Sequence, residues 1–179
     1  MLFKKQGNTS EESGKYPSKR PFKILSGFFV LVWMSVIAMF SAQHGEQSGS
    51  LSGQVAHLVV SVEERLTGVN LAPDQRKARI DFWQHPVRKT AHLTVYAILG
   101  MLFYWHFTFY GYKTKRHILS AWIAVTLYAV VDETHQLFVP GRSGNIVDVA
   151  IDSTGGIVGI GFVYLIRCLI QKISMRKST

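Results

Sequence analysis

Residues 132–156, DETHQLFVPGRSGNIVDVAIDSTGG, sit between two apolar runs of helix length, Ile118 to Val131 and Ile157 to Ile170. The stretch gathers Asp132, Glu133, Gln136, Arg142, Asp148 and Asp152 around a turn at Pro140-Gly141. Carboxylates this close to membrane-like sequence cost free energy unless they are paired, hydrated or used. The placement of these groups decides how the rest of the chain is read.

Outward from this stretch, the apolar runs dominate. Hydrophobic residues make up 47% of the chain and aromatics 12%, beside a formal net charge of +9. The basic residues do not alternate with exposed aromatics, as a nucleic-acid surface would require; they cluster at the ends of the apolar runs, as the positive-inside rule has it for membrane proteins. Cys168 is the single cysteine, which excludes an intramolecular disulfide and a thiol-based metal site.

The spacing predicts an all-α, polytopic membrane bundle of four transmembrane helices. A basic tail over residues 1–23 lacks the apolar content to order itself. The transmembrane domain covers 24–170, with spans at about 22–42, 87–109, 118–138 and 147–170, and a second tail covers 171–179. Each span has about the 20 apolar residues that a bilayer core requires. A cleaved signal peptide is the alternative reading of the first. Between the first two spans lies an outer segment, 43–86. It opens on linker-like sequence, QHGEQSGSLSG, and continues with Val55, Leu58, Val59, Val62 and Leu66 at helical spacing, as in an amphipathic helix on the bundle or the interface. Pro73-Asp74 starts another short helix, Phe82 and Trp83 read as an aromatic belt, and Pro86 suits the first turn of the second span. Gly155 and Gly159 form a small-xxx-small pair that permits close helix approach. Most of the 20 Lys and Arg residues fall inside when both termini are cytoplasmic. Arg76, Lys77, Arg79, Arg88 and Lys89 fall outside and weaken that count.

This topology sets the polar residues at one level. At 1.5 Å per residue, His92, Glu133 and Asp152 each lie about 8–9 Å inside the outer end of a span. Spacing of four groups Arg88, His92 and Tyr96 on one face, Asp132 with Gln136 on another, and Asp148 with Asp152 on a third. The nine residues Arg88, His92, Tyr96, Asp132, Glu133, Gln136, Arg142, Asp148 and Asp152 are therefore the candidates for a ligand-binding pocket or a polar network in the outer leaflet. Each has a plainer role open to it. Arg88 and Lys89 could snorkel at a helix end, and His92 could be a core histidine bonded to Glu133. Tyr96 and Gln136 could be packing and network residues, and Asp148 or Asn145 could cap the fourth span. Two active readings compete. The arginines could bind a phosphate or carboxylate, their guanidinium forks oriented by the carboxylates. Alternatively, His92 with Glu133, Asp148 and Asp152 could hold a divalent metal for hydrolysis. No HExxH, CxxC or HxxxH spacing supports a metal, and no Gly-x-Ser-x-Gly elbow supports an acyl enzyme. No catalytic residue, metal or cofactor is assigned.

Three blocks in order, RKTAHLTVYAILG at 88–100, DETHQLFVPGR at 132–142 and VDVAIDSTGGIVG at 147–159, resemble the VanZ-like membrane proteins of bacteria. The FSAQ close of the first apolar run is similar too, and the likeness covers about residues 24–170. It implies a multi-pass protein of the bacterial cell membrane and envelope. The family takes its name from an accessory protein linked to low-level resistance to teicoplanin, a lipidated glycopeptide antibiotic, and no reaction is established for it. Position by position, the motif carries over Arg88, Lys89, His92, Tyr96, Glu133, Gln136, Arg142, Asp148 and Asp152. The expected partner is a membrane lipid, a lipid-linked cell-wall component or a lipoglycopeptide, with no nucleic acid. The alternative is an intramembrane hydrolase or transferase acting on a lipid-linked substrate through His92 and the carboxylates.

Overall fold

After Lys23 no charge interrupts the first apolar run, and it forms one helix, α1 (Arg20–Ser41), in the computed structural model, which describes residues 20–111, 113–142 and 144–176. Four helices follow: α2 (Gly45–Thr67), α3 (Pro73–Thr108), α4 (Thr114–Gln136) and α5 (Ile146–Arg176). There is no strand among the described residues, so the expected all-α class holds. Most of the N-terminal tail, residues 1–19, and the end of the C-terminal one, 177–179, lie outside the described residues. Lys172 and Arg176 belong to the last turns of α5.

The outer segment differs from its reading. The supposed linker is helical from Gly45, because its small residues are what let α2 lie close against α3. Ser52, Ala56 and Val60 are buried on that side, and Ala56 and Val60 form a core with Ile80, Leu71 and Trp83. Tertiary packing of this kind overrides weak local propensity. Polar groups close the same seam: Arg76 Nε lies 3.3 Å from Glu64 Oε2, and Arg79 Nη2 lies 2.7 Å from Glu63 Oε1. Trp83 donates to Glu63 Oε2 at 3.3 Å, so this indole belongs to the hairpin, while Phe82 is exposed. Leu58, Val62 and Leu66 form an exposed apolar strip, continued by Leu51 and Val55, which are about half exposed and also border the α3 side.

Pro86 does not begin a helix. It lies inside α3, which runs unbroken for 36 residues. A proline there removes one main-chain hydrogen bond and crowds the carbonyl one turn back. The helix continues because its first half is held by α2 and its second by α5 and α4. Where α3 meets α5, the backbones touch. A Cβ on Gly155 would strike the Leu93 carbonyl, and one on Gly159 the Ala97 carbonyl; Gly100 and Gly156 abut each other in the same way. The small-xxx-small pair thus makes the close approach its spacing predicts.

α1 is fastened to α3 and α4 by two side-chain hydrogen bonds to main chain. Trp33 Nε1 donates to the Val95 carbonyl at 3.0 Å, and the Tyr128 hydroxyl donates to the Met34 carbonyl at 2.5 Å. The core between them consists of Ile37, Tyr96, Leu99, Val125 and Ala129. The outward faces are apolar: Phe28, Leu31 and Met39 on α1, Leu119, Ile123, Leu127 and Val131 on α4, and Ile157, Phe162, Leu165 and Leu169 on α5 are all exposed. By length and composition, α1 and α5 are long and apolar enough to cross a membrane. Four such helices are expected from the sequence. α3 and α4 do not reach the same standard.

The glycine contacts lead to a prediction. Gly159→Ala should destabilise the fold by about 1–3 kcal/mol, because the atom in the way is backbone and cannot yield as a side chain would. Gly161→Ala, with nothing within 4 Å of the added carbon, should leave the melting temperature in detergent unchanged or raise it. Equal melting temperatures for the two variants would refute the close approach.

Candidate functional site

The site is built where the chain leaves α4 and enters α5. α4 ends in tightening turns, Leu137 N–H to the Thr134 carbonyl and Val139 N–H to the Gln136 carbonyl, and Gly141 adopts φ 73° to reverse the chain. Gly144 then passes so close to the Glu133 carbonyl that a Cβ would sit 2.6 Å from it. This brings Asn145 back to the end of α4, where its main-chain N–H donates to Glu133 Oε2 at 2.9 Å. The Asn145 side chain caps α5 by accepting from Val147 N–H at 3.0 Å. Of the two possible caps, Asn145 is the one used. Asp148, in the first turn, pairs instead with Lys89, so this lysine does more than snorkel.

Arg142 is held mainly by main chain. Its Nε donates to the Gln43 carbonyl at 3.3 Å and its Nη2 to the Phe40 carbonyl at 3.2 Å, tying the loop to the end of α1. Its Nη1 reaches Gln136 Oε1 at 3.4 Å, and Gln136 Nε2 donates in turn to Asp132 Oδ2 at 3.2 Å. Asp132 therefore orients Arg142 through Gln136. The other carboxylates make no ion pair with either arginine among the described residues. Burial, and next the neighbouring Arg88, lower the Arg142 pKa from its usual value, while Asp132 and Glu133 act in the opposite sense. A guanidinium stays charged even so.

A second group lies one turn deeper. His92 Nδ1 is 3.4 Å from Asp152 Oδ1, so the imidazole has Asp152 as its nearest charged partner. One ligand atom from each of His92, Glu133 and Asp152 lies within 4.8 Å of the other two. Asp152 is 0% exposed and Glu133 5%. Both Asp152 oxygens and Glu133 Oε1 are buried without a hydrogen-bond partner. These three residues come from three helices, as their common depth predicts.

The two groups meet at a cavity of about 300 Å³. Arg88, His92 and Tyr96, at spacing four, line one side of it, with Asp132 and Arg142 at its polar end. Ile37, Phe40, Leu51, Val55 and Val95 form the apolar wall. Seven of the nine candidates are thus placed on the cavity or within one polar contact of a residue that lines it: Arg88, His92, Tyr96, Asp132, Gln136, Arg142 and Asp152. Glu133 lies behind His92, and Asp148 stands apart with Lys89. Sequence reasoning missed Asn145 as the link from Glu133 to α5, Gly144 as its clearance, and the wall that α2 supplies. An Asn just before a helical run is a cap signal; nothing local announces a wall from α2.

The family model described as VanZ/LLP1 matches residues 26–167. That span takes in α2, α3 and α4 whole and most of α1 and α5, and the chain belongs to the VanZ/LLP1 family. No curated protein and no solved structure matches it.

The Arg142–Gln136–Asp132 chain is testable as a unit. Gln136→Leu should cost about 1–3 kcal/mol, since it leaves the Asp132 oxygen buried without its donor. Adding Asp132→Leu should recover part of that loss, because removing both partners is milder than removing one. Additive losses in a thermal double-mutant cycle would show that the two side chains are uncoupled.

Proposed function

We propose that the chain is a multi-pass protein of the bacterial cell membrane whose cavity binds an anionic amphiphile and does not turn it over. Four crossings, with both ends cytoplasmic, set this cavity in the outer leaflet. The apolar outward faces of α1, α4 and α5 support the crossings. In this arrangement, the exposed Leu51, Val55, Leu58, Val62 and Leu66 face of α2 rests on the bilayer surface.

One observation carries the reading: a single cavity joins an apolar wall to two guanidinium groups, Arg88 and Arg142. Arg88 is the more telling of the two. It makes no ion pair among the described residues, and it lies close enough to Arg142 to disfavour the charge there. Two facing cations beside an apolar wall suit a ligand with a phosphate or carboxylate head and a hydrocarbon body. A lipid head group, a lipid-linked cell-wall precursor and a lipoglycopeptide all have that form. If the ligand is the last, or its target, the protein contributes to teicoplanin resistance. The convergence of His92, Glu133 and Asp152 favours a second reading, a hydrolase or transferase acting on a lipid-linked substrate. Under it, Glu133→Gln abolishes release of product from such a substrate in reconstituted membranes.

Expression in a sensitive Gram-positive host tests the first reading. The wild type should raise tolerance to teicoplanin but not to vancomycin, which has no lipid chain. Arg88→Glu should remove that protection at unchanged membrane abundance, because Arg88 makes no ion pair among the described residues that the fold would lose. In purified form the same variant should bind anionic lipid at least tenfold more weakly. Wild-type protein that shifts neither drug ends the resistance claim, and equal lipid affinity in Arg88→Glu ends the claim of an anion site.

A further inference from the structure

The charges around the cavity do not balance locally, and the remainder has the shape of a cation site. Asp148 has Lys89, and Asp132 reaches Arg142 through Gln136. Glu133 and Asp152 are left with a half-share of one main-chain N–H and an imidazole. Two buried carboxylates with one imidazole between them are expensive in a low-dielectric interior while they carry charge. One divalent cation would cancel that charge.

The geometry agrees. The 3.4 Å between His92 Nδ1 and Asp152 Oδ1 is long for a charge-assisted hydrogen bond, about 2.7–2.9 Å. It is the ligand-to-ligand edge, about 3.4 Å, of a tetrahedron with metal–ligand bonds of about 2.0–2.1 Å. Both Asp152 oxygens and Glu133 Oε1 carry no hydrogen-bond donor although they are buried, and all three ligand atoms lie within 4.8 Å of one another. The other Glu133 oxygen is fixed by Asn145 N–H, the kind of outer-shell contact that orients a ligating carboxylate.

We propose that His92, Glu133 and Asp152 bind one divalent transition-metal ion of the Mn²⁺-to-Zn²⁺ class. One nitrogen and two carboxylates form a donor set that such ions accept, and three protein ligands leave coordination positions open. His92 is itself part of the cavity wall, so an open position faces the space that Arg88 and Arg142 also face. The site holds a cation whether or not the cavity holds an amphiphile.

The test uses the full chain in detergent, stripped with chelator and titrated with Mn²⁺ or Co²⁺. The folded wild type should take up one ion per chain, saturably, and its spin-echo spectrum with Mn²⁺ should show coupling to one imidazole nitrogen. Asp152→Asn and His92→Ala should weaken binding by more than the 10–100-fold, roughly, that follows loss of a merely supporting residue. Asp81→Asn, on the exposed flank of α3, should leave it unchanged. His92 is partly exposed, so its variant decides the matter should Asp152→Asn fail to fold. Folded wild type that binds neither ion saturably, a spectrum without nitrogen coupling, or full affinity in His92→Ala would each overturn the proposal.

Discussion

The contact on which the rest of this structure depends is the meeting of two backbones. Gly155 and Gly159 bring α5 against the Leu93 and Ala97 carbonyls of α3, with no side chain between them. In the membrane arrangement proposed above, helices surrounded by lipid gain little from hydrophobic burial against one another, and close packing at small residues takes its place. The contact also fixes the chemistry. Asp152 lies just before Gly155, and His92 just before Leu93, so seating the glycines on the carbonyls forces the carboxylate and the imidazole together. Bulkier residues at these positions would separate the helices and, with them, the site.

Around this seam the compensation of charge is uneven. At the rim, Lys89 and Asp148 pair directly. Further in, Asp132 meets Arg142 only through Gln136, whose amide can donate to one and accept from the other. Beside it, Glu133 has one oxygen on Asn145 N–H and the other unpartnered, and Asp152, wholly buried, has only His92. A purely structural network would tend to satisfy its deepest members best, because there the penalty is greatest. Asp152, the most buried of these groups, is instead the least satisfied.

Much of this was legible in advance, and what was not has a physical cause. Equal depth of His92, Glu133 and Asp152 follows from counting 1.5 Å per residue along three runs. The Asp132–Gln136 bond follows from spacing of four, and the α3–α5 contact from the glycine pair. The partners of the arginines could not be read, because Phe40 and Gln43 offer main-chain carbonyls, which every residue has. Pro86 misled because its effect is judged by what packs on either side of it, and those neighbours are distant in sequence. The small residues from Gly45 to Gly53 misled for the same reason. They look flexible alone and are close-packing in company.

The two arginines, similar on paper, do unlike work. Arg142 donates to carbonyls at the end of α1 and to Gln136, so it ties the α4–α5 loop to the α1–α2 corner. An anion that claimed it fully would have to compete with those bonds. Arg88 has no such ties. It projects from α3 towards Gly49, where the absence of a side chain on α2 leaves room for the guanidinium within 3.9 Å of where a Cβ would be. α2 thus does two things at once: it roofs the cavity with Leu51 and Val55, and it leaves a gap beside Arg88. A charge with no ion pair among the described residues, adjacent to an apolar wall, is the part of this site best able to adapt to a ligand. Arg142 supplies the fixed point against which it does so.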